Sequence, residues 1–126
     1  SVTNTRTEQI EALTVANRSL YDVLDEQIDS RLFPTPRSRD IAHFIVENLD
    51  EDGYYEGESE AYCNLNSITL EEFERVRARF AHIEPIGIGA KDLCESFLFQ
   101  LDSSDIGDEA YKLAFKIINN IENFLF

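Results

Sequence analysis

From Ser19 onward the apolar positions of the chain recur at helical spacing. Leu20, Val23, Leu24, Ile28 and Leu32 share one face, while Asp22, Asp25 and Glu26 point away from it. Ser19 stands where a capping hydroxyl belongs, and Pro34 stops the run. Thr35-Pro36 starts the next helix, since Pro at the first helical position loses no hydrogen bond. Ile41, Phe44, Ile45 and Leu49 form its apolar stripe, and Gly53 is placed to end the helix or its trailing turn. Residues 53–67 carry no sustained period and read as a long loop.

Thr69-Leu70-Glu71-Glu72 is a capping box, with the Glu72 side chain expected to reach back to the cap amide. Leu70, Phe73, Val76, Phe80 and Ile83 supply the buried stripe of that helix, and Glu71 and Arg75 pair one turn apart outside it. Pro85, Gly87 and Gly89 make a sharp connection. The following helix carries Ala90, Leu93, Cys94, Phe97, Leu98 and Leu101 on one stripe, with Gly89 as its cap, Asp92 in its first turn and Phe99 off the stripe.

These patterns predict an all-α fold: a four-helix bundle followed by the start of a second small helical unit. Residues 1–17 read as a linker or short helix, 18–101 as the first helical subdomain and 102–107 as a linker. Residues 108–126 read as the first helix of a truncated second subdomain, apolar on more than one face. The ending Asn123-Phe124-Leu125-Phe126 predicts a fragment of a longer protein whose last helix is interrupted.

Composition narrows the function. A hydrophobic content of 43%, with nine Phe and five Tyr, supports a core. No apolar run approaches the ~20 residues needed to span a bilayer. The formal charge of −14 opposes binding to nucleic acid or to an anionic membrane, because both require cations. A basic protein surface, or no charged partner at all, fits it. Cys63 and Cys94 form no C-x-x-C pair, which suits a reduced, cytoplasmic chain, and Cys94 reads as a small core residue.

Candidate chemistry is sparse. Asn48, Asp50 and Asp52 alternate ahead of Gly53 as in the opening of a calcium loop, and Tyr54 sits where a backbone carbonyl would ligate. The closing carboxylate is out of register, however: the twelfth position is Ser59, flanked by Glu58 and Glu60. A calcium-binding regulatory domain built on loop 48–60 is therefore the alternative reading, and a helix end followed by an acidic turn the preferred one. Gly87-Ile88-Gly89 fails both phosphate-loop patterns because Asp92 stands where each needs another residue. His43, His82, Cys63 and Cys94 share no zinc spacing. Arg75, Arg77 and Arg79 are read as local partners of Glu71, Glu72 and Glu74. No cofactor is implied, and nothing argues for an enzyme.

SLYDVLDEQI (19–28), IAHFIVENLDEDGYY (41–55), SITLEEFERV (67–76) and IEPIGIGAKDLCESFLFQL (83–101), in that order, resemble the core-binding region of bacterial sigma-54, the nitrogen-type RNA polymerase sigma factor. The family pattern is an L-x-x-Q-[LI] helix, an N-L-D-x-x-G-Y turn and P-x-G-[VI]-G-A-[RK]-D-L-x-E-x-L-x-x-Q-L. Tyr55 replaces the usual Leu, Lys91 the commoner Arg, and Phe97 and Phe99 enlarge the stripe. The resemblance implies a helical module that docks on core RNA polymerase and does not itself bind DNA. It implies a full-length factor that binds promoter DNA and answers to an ATP-dependent activator. The residues matching the family motifs, structural or partner-binding, are Asp50, Gly53, Tyr54, Pro85, Gly87, Gly89, Ala90, Lys91, Asp92, Leu93, Glu95, Gln100 and Leu101.

Overall fold

The computed structural model describes residues 19–103 and Lys116. The expectations for 1–17, for the linker beyond Ser103 and for the helix from 108 lie outside the described residues. Helix α1 spans Leu20–Gln27, α2 Pro36–Glu47, α3 Ser59–Asn66, α4 Leu70–Ala78 and α5 Leu93–Ser103, with a 3₁₀ turn at Arg79–His82. The all-α reading holds, and no strand occurs among the described residues.

Local chemistry sets the helix ends. Ser19 Oγ accepts from the Asp22 amide at 3.1 Å and starts α1. The helix stops before the predicted Leu32: Ile28 leaves the helical region with ψ at 80°, and the Asp29 carboxylate then accepts from the Arg31 amide at 3.0 Å, a local partner that competes with the helix. Helix α2 opens as expected at Thr35-Pro36, and here the reciprocal capping box belongs to Thr35 and Ser38. In α4 the Thr69 hydroxyl accepts from the Glu72 amide at 3.0 Å, but the Glu72 carboxylate goes to Arg37 at 3.1 Å instead of returning to the cap.

Three further expectations are corrected. The predicted loop 53–67 contains α3, whose turns bury little beyond Cys63, so an apolar period was never written into it. Helix α4 does not run to Ile83; it tightens into the 3₁₀ turn that delivers Phe80 and Ala81 to the interior. Helix α5 starts at Leu93 rather than Ala90, with Asp92 as its cap: Asp92 Oδ1 accepts from the Glu95 amide at 2.8 Å. It also runs through Asp102 and Ser103, into the predicted linker.

The core gathers Leu24, Phe33, Ile41, Ile45, Phe73, Phe80, Ile83 and Ile88. Each large side chain removed from water contributes roughly 1.5–3 kcal/mol. Four rings from three helices and the 53–58 segment interlock. Phe44 stacks on Tyr62 with centroids 4.3 Å apart, and both meet Phe73 edge-on. Helix α2 packs on α4, α3 on α4, and α5 on the 3₁₀ turn. The predicted α5 stripe is rotated. Ser96 and Phe99 are the buried positions, Cys94, Phe97, Leu98 and Leu101 are half-buried, and Leu93 is exposed.

Gly89 shows what the connection before α5 requires. Its φ of +84° lies in the left-handed region, and an added Cβ would come within 2.8 Å of the Phe80 ring. Gly89→Val is expected to destabilise the fold by about 2–4 kcal/mol, through backbone strain and overpacking together. Urea unfolding checks it; a variant as stable as the parent would show that the loop yields.

Candidate functional site

Three of the motif segments meet at one place, residues 83–92. Gln27 of α1 holds the Glu84 backbone from both sides: its Nε2 donates to the Glu84 carbonyl at 2.6 Å, and its Oε1 accepts from the Glu84 amide at 2.8 Å. The turn after α2 joins further along. The Gly89 amide donates to the Gly53 carbonyl at 3.1 Å, and the Tyr55 amide donates to the Ala90 carbonyl at 2.8 Å. Leu49 and Tyr55 form an isolated antiparallel bridge that closes this turn.

Beneath the junction lies Arg77, only 5% exposed. Its Nε donates to Glu74 at 2.7 Å, its Nη1 to the Gly89 carbonyl at 3.0 Å, and its two terminal nitrogens grip both oxygens of Glu95. The guanidinium carbon also lies 5.9 Å from the Tyr55 ring centroid and 6.0 Å from that of Phe99. Lys91 extends the network. Its Nζ donates to Glu74 at 3.1 Å, and its amide donates to Glu95 at 2.7 Å. Burial by itself would raise the Glu95 pKa; hydrogen bonds and charge from Arg77, with help from the Lys91 amide, outweigh it and hold the carboxyl below its ordinary range. Burial likewise opposes the Arg77 charge, and Glu95 and Glu74 more than restore it.

The motif residues thus divide by position. Gly53, Gly89 and Ala90 form the junction, and Lys91, Asp92 and Glu95 belong to the ionic node and the α5 cap. Pro85 and Gly87 are buried in the connection, Gly87 at φ +82°. Tyr54 is half-buried on the turn, Leu93 is exposed, and Gln100 and Leu101 lie half-buried farther along α5. Asp50 works inside its own turn. One oxygen accepts from the amides of Asp52 and Tyr54, both at 2.9 Å.

That engagement bears on the calcium alternative, which has no support. Asp50 Oδ1 is taken by two amides, and Asn48 turns its Nδ2 back to the Phe44 carbonyl at 2.8 Å. Tyr54's carbonyl accepts from the Asp50 amide at 2.8 Å. No group of three or more His, Cys, Asp or Glu side chains that could hold a metal ion occurs among the described residues. His43 and His82 each face one carboxylate, Asp25 and Asp102, at 3.5 Å. Cys63 is the buried thiol, and burial pushes its pKa up; Cys94, expected in the core, is only half-buried. Among the described residues no helix is long and apolar enough to cross a membrane.

The family model for the sigma-54 factor core binding domain matches residues 9–125. The chain belongs to the sigma-54 core-binding-domain family. It is 42% identical to the RNA polymerase sigma-54 factor of Helicobacter pylori, over 91% of this chain and 28% of that protein. It is 34% identical to the Bacillus subtilis factor over 71% of this chain and 20% of that protein. Against the Azorhizobium caulinodans factor it is 30% identical, over 89% of this chain and 21% of that protein. The chain therefore spans between a fifth and three-tenths of the length of these relatives. No solved structure is a significant match.

Within the sigma-54 family pattern, the glycine-rich motif meets Gln27 of α1 and the turn after α2, and its Glu95 pairs with Arg77, a residue outside it. The expected local partner of Arg77 is there in Glu74, but its burial and its grip on Glu95 were not foreseen, because a charged residue is assigned to the surface by default. The signal was present nonetheless: Arg77 follows Phe73 by four positions and precedes Phe80 by three, on the buried stripe.

Two outcomes follow from this node. Arg77→Met is expected to cost about 3–5 kcal/mol, since it strands Glu95 and the Gly89 carbonyl, and combining it with Glu95→Met should cost less than the sum of the single changes. Chemical denaturation of the four proteins closes the cycle; additive losses would mean that the pair is not coupled. Because the folded Glu95 carboxyl is held low, its stabilisation is complete above the ordinary glutamate pKa of about 4.3 and is lost as pH falls through the lower folded value. Glu95→Gln should therefore start less stable at neutral pH and lose less stability on acidification, as read from melting temperatures across that range.

Proposed function

We propose that this chain is the module by which a sigma-54-type transcription initiation factor holds core RNA polymerase. It is a docking domain without catalytic activity, and it works in the bacterial cytoplasm alongside the polymerase. Reading promoter DNA and answering an ATP-dependent activator belong to the full-length factor. The family match across residues 9–125 carries this reading. The charge supports it from an independent side. At −14 the chain repels nucleic acid phosphates, so its own contribution is to hold protein rather than DNA. Physically, a domain of this kind contributes a rigid surface. The junction of Gln27, Gly53, Gly89 and Arg77 fixes the loops that a partner would touch, which limits the ordering cost of association.

Purified core polymerase tests the reading directly. Immobilised chain is expected to capture polymerase at low salt and progressively less as salt is raised, because screening weakens contact between an acidic and a basic surface. Failure of the folded chain to retain polymerase even at low salt would overturn the assignment.

A further inference from the structure

Between Arg39 and Arg75 the chain contains no Lys or Arg. The carboxylates of Glu47, Glu51, Asp52, Glu56, Glu58 and Glu60 fall in that stretch, and none of them pairs with a cation among the described residues. The tertiary fold does something specific with three of them. An open cleft of about 410 Å³ lies between the 55–60 segment on one side and Leu70, Glu74 and Lys91 on the other. Glu56, Glu58 and Glu60 line it, and its one lysine is spent on Glu74. Leu70 borders it with 43% of its surface exposed, although it heads an otherwise well-buried stripe. Acidic groups around an apolar wall make a different surface from a solvated charge run.

The cleft is also preformed. Tyr55 lies beneath it, buried, with its amide bound to Ala90 and its hydroxyl 2.7 Å from Ser59 Oγ. Gly57 packs over that ring so closely that an added Cβ would come within 2.6 Å of it.

We propose that this cleft is the part of the domain that receives the polymerase, taking a basic segment whose apolar side chain packs on Leu70 while its Lys or Arg residues meet Glu56, Glu58 and Glu60. Charge complementarity selects this occupant: a neutral or acidic segment would bring no partner to three uncompensated carboxylates, whereas a cationic one gains attraction and faster encounter. The inference rests on the docking function proposed above and names its contact.

The test measures the affinity of the chain for purified core polymerase across a salt series. Glu56→Gln, Glu58→Gln and Glu60→Gln combined is expected to weaken binding about tenfold and to flatten its salt dependence, and Leu70→Ser to weaken it about fivefold with the salt dependence kept. The same loss of three charges at Asp22, Asp25 and Asp40, exposed on α1 and α2 away from the cleft, should change affinity less than about twofold. Thermal melting of each variant confirms that the fold persists, since all of the altered side chains are exposed or line the cleft. Parent-like binding by both cleft variants, with the parent chain still binding polymerase, overturns this inference and leaves the docking function standing. An equal loss from both charge triplets overturns it too, in favour of net charge. A parent chain that binds no polymerase overturns the function and the cleft together.

Discussion

A guanidinium in the interior organises this molecule. Arg77 leaves water almost completely, and removing an ion from water costs several kcal/mol unless its donors are satisfied. Here Glu74 takes Nε, Glu95 takes both terminal nitrogens, and the Gly89 carbonyl takes a further bond. Those partners come from α4, from the glycine-rich connection and from α5. The cation can be satisfied only when all three are in register. Apolar side chains of similar volume could have filled the space with equal stability, but without specifying where α5 begins or how the connection lies across it.

The glycine connection is what makes that arrangement sterically possible. Gly89 adopts a left-handed conformation against the Phe80 ring and so presents its carbonyl to Arg77 while its amide faces Gly53. One residue thereby joins the ionic node to the turn after α2, and through Tyr55 and Ser59 to the 55–60 segment. A chain of short bonds runs from the interior to the acidic surface. The proposed docking face is joined to the core by these bonds.

Surface charge then has a structural meaning that a net value conceals. Of the described cations, Arg31, Arg37, Arg75, Arg77 and Lys91 are held by carboxylates, while Arg39 and Arg79 donate to the carbonyls of Phe33 and Leu32. Arg37, Arg77 and Arg79 tie distant parts of the chain together, while the Arg31 and Arg75 pairs lie on the surface. What remains facing outward around the 55–60 segment is negative, beside a half-exposed leucine.

The residues themselves determined the class of the fold, the starts of α1, α2 and α4, the sharp connection at Pro85–Gly89 and the family motifs, because each rests on neighbours a few positions apart. Capping hydroxyls, prolines, apolar periods and glycines all act locally. The tertiary structure alone decided that the period-free stretch after Gly57 coils into α3, and that α5 turns Ser96 and Phe99 inward in place of Leu93 and Leu101. It alone decided, too, that Arg77 is interior while its neighbours Arg75 and Arg79 are not buried. The reason is physical: burying a charge depends on partners brought from far along the chain, Glu95 standing eighteen positions away, and no local pattern records whether they will arrive.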